Sequence, residues 1–289
     1  MALWLLIDGN NLAYRAFYGM PELTRKDGFP TGALHGWVRT LWMLTDQEKP
    51  ARGVVFFDLG ASTRHEAIHA EYKAQRKSMP EPLVQQLDPM KKITRSLGFA
   101  VVERAGIEAD DLLASAALQL AAKGDHVLIV SADKDFGQLV GGHILQLVPP
   151  PTANPKLGWK RLDESGVKEK FGVRPAQIPA LLALTGDASD NIPGLDGVGY
   201  KTAAKWLDEF GDLATLQRRW DWVKPERFRP QLKDAGPLLA RNLELVTLQA
   251  SLDPGPLEPP APDPAAARAF FEEMEMRRTL EEAAKRFDS

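Results

Sequence analysis

Leu3–Asn11 reads LWLLIDGNN: an apolar run, then an aspartate, a glycine and two asparagines. The same pattern returns in residues 53–58, GVVFFD, and in residues 126–133, HVLIVSAD. Runs this apolar read as strands buried on both faces. A carboxylate at the end of such a strand is costly to bury unless something positive meets it. The chain therefore announces several buried parallel strands that each deliver an acid to the same edge.

Working outward, residues 3–7 predict a strand, and Gly9, Asn10 and Asn11 predict a turn. Residues 31–46 have helical spacing, 53–57 form a second strand, and 62–96 predict helix with breaks near Pro80 and Pro82. A strand at 99–103, a helix from Ile107 to Lys123 stopped at Gly124, and a strand at 126–130 follow, then a short helix from Phe136. Alternation of this kind implies a largely parallel sheet flanked by helices, an α/β class, with the ligand crevice outside the carboxyl ends of the strands. Residues 149–158, PPPTANPKLG, are a breaker-rich loop. From about 175 the pattern is wholly helical, with a Pro-rich extended stretch at 253–264 and a last helix from Ala265 to about Arg286. The expected division is an α/β part, 1–174, and a helical part, 175–289, packed as one body.

Nine acids stand out: Asp8, Asp58, Glu108, Asp110, Asp111, Asp133, Asp135, Asp187 and Asp190. Glu108–Asp111 taken alone could cap a helix, and TGDASDN alone could be a turn. Their recurrence at strand ends is too frequent for caps. Two carboxylates about 4 Å apart repel by roughly 4 kcal/mol at an effective dielectric near 20. Acid-only ligands, with no Cys and with five scattered His, select hard cations: Mg²⁺, with Mn²⁺ able to substitute. Two such ions flanking a phosphate are the usual chemistry of such a site.

The net charge is −3, but setting aside the nine clustered acids leaves 30 acidic against 36 basic residues, a balance of +6. A basic surface around an acidic centre suits a phosphodiester substrate. Lys73, Arg76 and Lys77 occupy nearby helical positions in EYKAQRK; such a run is also what a solvated helix face looks like. Tyr14 could stack a base, or Tyr14 and Phe17 could be core. Gly197, Val198 and Gly199 would make a tight hairpin before a helix carrying Lys201, Thr202 and Lys205, a helix–hairpin–helix at about 186–210 that meets a DNA backbone without reading sequence. A plain glycine-rich connector is the simpler alternative. The absence of Cys fits a reducing cytoplasm, and no run approaches the roughly 20 apolar residues a membrane span needs.

DGNNLAYRAF, the FFD strand end, YKAQR, EADD, SADKDF, TGDASDNIPG and GVGYKTA occur in one order. That ordered set resembles the bacterial and phage 5′-nuclease family, which includes the N-terminal 5′-nuclease domain of DNA polymerase I and stand-alone flap endonucleases. The resemblance implies a mixed, largely parallel sheet, a helical arch at about 62–96 and a helix–three-turn–helix DNA clamp. It implies 5′→3′ exonuclease and flap endonuclease activity on DNA with 5′ flaps, nicks or ends, RNA primer strands included, by a monomer. One ion would lie among Asp8, Asp58, Glu108, Asp110 and Asp111, the other nearer Asp133, Asp135, Asp187 and Asp190. Lys73 and Arg76 match arch residues that contact the scissile phosphate and, with Asp8 and Asp135, make up the catalytic set. Tyr14 matches the aromatic that stacks the terminal base and Arg15 a phosphate contact, and the hairpin matches a duplex-backbone site that also takes K⁺. Residues 149–158 and 218–236 depart from the family pattern without touching a motif. A DNA-junction binder that has lost catalysis, or an RNase on a related fold, are the alternatives; the complete acid set and Lys73 argue against the first.

Overall fold

The computed structural model describes residues 1–288; Ser289, the end of the expected helical part, lies outside them. Strand β1 (Leu3–Asp8) runs directly into helix α1 (Gly9–Gly19). The expected turn at residues 9–11 is instead the first turn of α1, because the Asp8 carboxylate caps it by accepting the Asn11 N–H. Then follow α2 (Gly32–Glu48), β2 (Arg52–Leu59), α3 (Thr63–Ile68), α4 (Glu81–Ser96), β3 (Ala100–Ala105), α5 (Ala109–Ala122) and β4 (His126–Val130). The helix expected across 62–96 is broken more widely than Pro80 and Pro82 require. Residues 70–78 offer a helix almost nothing apolar to bury, and Lys73 sits in the left-handed region at φ 56°.

Two strands were not legible in the sequence. β5 (Ile144–Val148) is short and carries Gln146 at its centre, and β6 (Lys160–Leu162) is a polar antiparallel edge strand. They complete a six-stranded sheet of order β3-β2-β1-β4-β5-β6, parallel except for β6. The chain builds outward from β1 to β3 and then returns to place β4 on the other side of β1. A crevice opens at such a reversal, at the strands' carboxyl ends.

Successive strand residues point to opposite faces, and both faces are covered. Leu5, Ile7, Val55, Phe57 and Leu128 pack with Trp37 of α2 and with Met90 and Ile93 of α4. Trp4, Leu6, Val54, Phe56 and Ile129 pack with Leu112, Leu113 and Ala116 of α5. That double burial explains why these strands read as unbroken apolar runs.

Beyond α6 (Glu164–Phe171), helices α7 (Ile178–Thr185), α8 (Tyr200–Phe210), α9 (Leu213–Arg218), α10 (Arg229–Asp234) and α11 (Gly236–Val246) enclose a separate core around Leu181, Trp206, Leu207 and Leu239. A two-stranded ribbon, β7 (Gly186–Asp187) with β8 (Ile192–Pro193), projects between α7 and α8. The single last helix expected from Ala265 is two, α12 (Pro264–Glu273) and α13 (Arg277–Phe287), parted where Glu275 takes φ 53°. Both return to the α/β body: Phe270, Phe271, Met276 and Ala283 join the core beneath α2, with Phe271 edge-on to Trp42. Among the described residues no helix is long and apolar enough to cross a membrane.

Gly186 fixes the ribbon. Its φ is +69°, and a Cβ there would stand 2.3 Å from the Gly194 nitrogen and 2.4 Å from the Ile192 carbonyl oxygen. Gly186→Ala is expected to lower stability by roughly 2–4 kcal/mol, through forbidden backbone geometry and a clash against main chain that cannot move aside. Urea denaturation checks this; a loss under about 0.5 kcal/mol, the range of an ordinary surface change, would contradict it.

Candidate metal centre and nucleic-acid interface

The register of three strands sets the first group of acids. Ile7 pairs with Val130, so Ser131 comes level with Asp8 and its hydroxyl donates to Asp8 Oδ2 at 2.7 Å. β2 extends beyond Phe56, the partner of Asp8, and brings Asp58 to the same edge. Asn10 donates to Asp58 Oδ2 at 3.0 Å, and the Ala109 N–H donates to Asp58 Oδ1 at 2.8 Å, so Asp58 caps α5. That cap aims the first turn of α5, and with it Asp110, into the cleft. Burial pushes the Asp110 carboxyl well up, and Asp8, Asp133, Asp58 and Glu108 push the same way. Burial also raises Asp8 to about 7, despite the hydrogen bonds from Asn11 and Ser131. Asp58 is raised by burial, against the opposing pull of the Ala109 N–H and Lys73.

The second group sits on the loop after β4 and on the ribbon. Ser131 Oγ accepts the Asp133 N–H at 3.0 Å and Asp133 Oδ1 accepts the Asp135 N–H at 2.9 Å. From β5, the buried Gln146 amide donates to the carbonyls of Ser131 at 3.0 Å and Asp133 at 2.6 Å, which locks the loop. Burial drives Asp135 well up, with Asp133, Asp187 and Asp190 adding to it, and its Oδ1 is buried without a hydrogen-bond partner. Burial works to raise Asp187 too, but hydrogen bonds from Lys134 at 2.5 Å and from Ser189 outweigh it and the carboxyl falls below its ordinary value. Asp190 accepts from Arg76 at 2.5 Å and from the Tyr72 hydroxyl at 3.0 Å.

Of the nine acids, Asp8, Asp58, Asp110 and Asp133 face one another, and Asp133 also faces Asp135, which in turn meets Asp187 and Asp190. Glu108 borders the first group and is held by Lys73 and Tyr72. Asp111 sits behind it: its Oδ1 accepts the Gln249 N–H at 2.8 Å and its charged neighbours are His65, Glu108 and Arg64. Its carboxylate ties down the chain after α11. Among the described residues no three His, Cys, Asp or Glu side chains close round one point as a finished cage. The acids gather at the carboxyl ends of the strands, and an all-carboxylate set that crowds Asp110 and leaves a buried Asp135 oxygen without a hydrogen bond fits hard divalent cations.

Three cations already lean on these acids. Lys73 and Arg76 lie on an irregular turn, a correction to the helical positions expected from their spacing. The left-handed Lys73 donates its N–H to the Asp190 carbonyl at 3.0 Å and its ammonium to Glu108. Lys134, inside SADKD, was not singled out from the sequence, although its place between two acids was a usable signal. The partners Ser131, Asn10, Tyr72 and Gln146 were also missed, because only folding makes them neighbours. Lys77 is exposed on the same turn.

Tyr14 is half-buried and stacked on Tyr18 at 6.4 Å, near enough to Arg76 to feel its charge. Arg15 donates to the Pro150 carbonyl and lies 5.7 Å from the Trp159 ring. A cavity of about 690 Å³ bounded by Tyr14, Tyr18, Pro150, Lys160 and Lys170 is lined by none of the nine acids; Asn11 and Ala132, neighbours of Asp8 and Asp133 in sequence, reach its wall. At the hairpin, Val198 is buried and its N–H donates to the Leu195 carbonyl, so only its carbonyl could face a ligand. Gly197 makes the turn at φ +70°. Gly199 caps α8 in open space, with nothing within 4 Å of where a Cβ would stand. Lys201 and Lys205 are exposed along α8, and Thr202 is half-buried between them.

Residues 3–172 match the family described as 5′-3′ exonuclease, N-terminal resolvase-like domain, and residues 173–259 match 5′-3′ exonuclease, C-terminal SAM fold. The 5′-3′ exonuclease of Aquifex aeolicus (strain VF5) is 36% identical over 286 residues, covering 98% of this chain and 95% of that protein. The thermostable DNA polymerase I of Thermus thermophilus is 39% identical over 285 residues, covering 96% of this chain but 33% of that protein. The flap endonuclease of bacteriophage T5, solved with DNA and metal ions, shares the fold at a TM-score of 0.72 and 22% identity, over 98% of this chain and 99% of that one. Over both of its parts, this chain belongs to the 5′-3′ exonuclease family.

Proposed function

We propose that this 5′-3′ exonuclease hydrolyses phosphodiesters at 5′ ends, nicks and the bases of 5′ flaps in duplex DNA, with two Mg²⁺ ions, for which Mn²⁺ substitutes. RNA primer strands fall within the same substrate class. The observation that carries this reading is the crowding of carboxylates at the ends of β1, β2 and β4, with Lys73 and Arg76 at its edge. Asp8, Asp58, Glu108 and Asp110 would hold one ion; Asp133, Asp135, Asp187 and Asp190 would hold the other. Bound there, divalent ions supply positive charge against which a phosphate's oxygens and the leaving oxygen are stabilised.

The chain's own groups do the rest. The Lys73 ammonium and the Arg76 guanidinium rest on Glu108 and Asp190, and from there each can turn to a phosphate entering the cleft and stabilise its developing charge. Tyr14 presents a ring face on which an unpaired terminal base can stack. The open start of α8 offers backbone N–H groups, with Lys201 and Lys205 along the helix, to successive phosphates of a duplex. The Gly197–Gly199 hairpin would hold a K⁺ ion, which would supply positive charge beside a duplex phosphate. Such contacts fix position and carry no base information.

The acids also define a pH dependence. Asp8, Asp58, Asp110 and Asp135 have folded-state values above the ordinary 3.8, so each favours the folded chain below that pH, and its contribution is lost as pH rises, by about 7 for Asp8. Metal-free protein is expected to lose thermal stability between about pH 4 and 8, and Mg²⁺ to restore it more at pH 8 than at pH 5. Asp110→Asn should melt higher than wild type in EDTA at pH 8, match it near pH 4, and cleave flaps slower by orders of magnitude. A lower melting temperature for this variant at pH 8 would mean that Asp110 is already compensated.

Lys73→Ala is expected to slow single-turnover cleavage by roughly 10²–10³-fold while affinity for the same flap in Ca²⁺ changes only a few-fold. A fall in affinity alone would reduce Lys73 to a steering role. Replacing Lys201 and Lys205 together with Ala should flatten the dependence of log affinity on log salt by up to about two units, equally for unrelated duplex sequences. Fluorescence anisotropy over a salt series measures this, and an unchanged slope would move the duplex off α8.

A further inference from the structure

Lys134 lies in the acid-bearing loop itself, between Asp133 and Asp135. Its ammonium donates to Asp187 Oδ2 at 2.5 Å and stands 3.9 Å from Asp135 Oδ1, the buried oxygen that finds no hydrogen-bond partner. Only 24% of the Lys134 side chain is exposed. Lys73 and Arg76 reach the acids from a separate turn and settle on Glu108 and Asp190. Among the described residues, Lys134 alone thus places a positive charge between the ribbon acid Asp187 and the loop acid Asp135.

We propose that Lys134 is a resident cation that holds the place of the second divalent ion: its ammonium compensates Asp135 and Asp187 while no ion is bound, and it gives up Asp187 when one arrives. The proposal rests on the two-ion reading above. An ammonium and a divalent ion cannot both use the same two carboxylates, because at such separations they repel strongly in a partly buried site. A lysine can yield where a planar arginine fork would be harder to move, since its charge rides on a flexible four-carbon stem. The cluster thereby keeps a partial counter-charge without metal, and the second ion binds only above a concentration that the displaced ammonium sets.

The test needs no cleavage. Mg²⁺ is titrated calorimetrically into the full chain without DNA at pH 8, and melting temperatures are recorded in EDTA. Lys134→Met and Lys134→Gln remove the charge; Lys134→Arg keeps it. The weaker of the two Mg²⁺ events should tighten by at least about tenfold in both neutral variants and should not tighten in the arginine variant, whose charge is retained and harder to displace. Both neutral variants should melt lower in EDTA. If only one of them folds, it decides the matter alone. Second-ion binding that is unchanged or weaker in the neutral variants overturns the role of Lys134. A wild-type chain that takes up no second ion overturns the two-ion reading first, so the two failures are distinguishable.

Discussion

Repulsion among carboxylates gathered at one edge of a parallel sheet is the constraint to which the rest of this molecule answers. Asp110 faces Asp8, Asp58, Asp133 and Glu108, and Asp135 faces Asp133, Asp187 and Asp190. A chain selected for stability alone would not assemble such a set, because each added charge raises the cost of the others. The scaffold tolerates it by burying completely the cores of the strands that carry the acids. Leu5, Leu6, Ile7, Val54, Val55 and Phe56 are wholly inaccessible. The stabilisation from covering both sheet faces is spent, in part, on holding like charges together.

Departures from ordinary local structure cluster around the same acids. Lys73 adopts a left-handed backbone, Gly186 turns where no side chain fits, and Asp135 keeps a buried oxygen without a donor. Such features persist only where surrounding structure over-determines them. Here the determinants are identifiable: the Gln146 amide pins the loop after β4, Asp58 pins α5, and Asp111 anchors the segment after α11. Supporting groups and candidate ligands are thus interleaved along the chain.

The helical region contributes position more than charge. Its own core holds α7, α8 and α11 as a unit, and the ribbon between α7 and α8 carries Asp187 and Asp190 into the cleft. The same short connection therefore supplies acids to the centre and leads into the exposed start of α8 at Gly199. A duplex held on α8 would be registered against the acids by a rigid path. The returning helices α12 and α13 play no part in this; they seal the face of the sheet beneath α2.

The sequence by itself determined the strands β1 to β4, the helices between them and the acids at their ends, because those features rest on local periodicity and on the cost of ending an apolar run with a carboxylate. It did not reveal β5 or β6, whose short, polar-interrupted stretches gain strand geometry only by pairing with β4 and with each other. Nor could it show that one Asp111 oxygen accepts the Gln249 N–H while Asp110 faces Asp8, Asp58 and Asp133. The spacing of Lys73 and Arg76 looked helical because charge patterns carry no record of backbone strain. That the Val198 side chain packs into the helical core was likewise decided by the fold. The partners of each acid, Ser131 for Asp8, Asn10 for Asp58 and Lys134 for Asp187, were decided only in the tertiary structure, because hydrogen bonds between residues so distant in sequence exist only once sheet register and ribbon geometry have brought them within 3 Å.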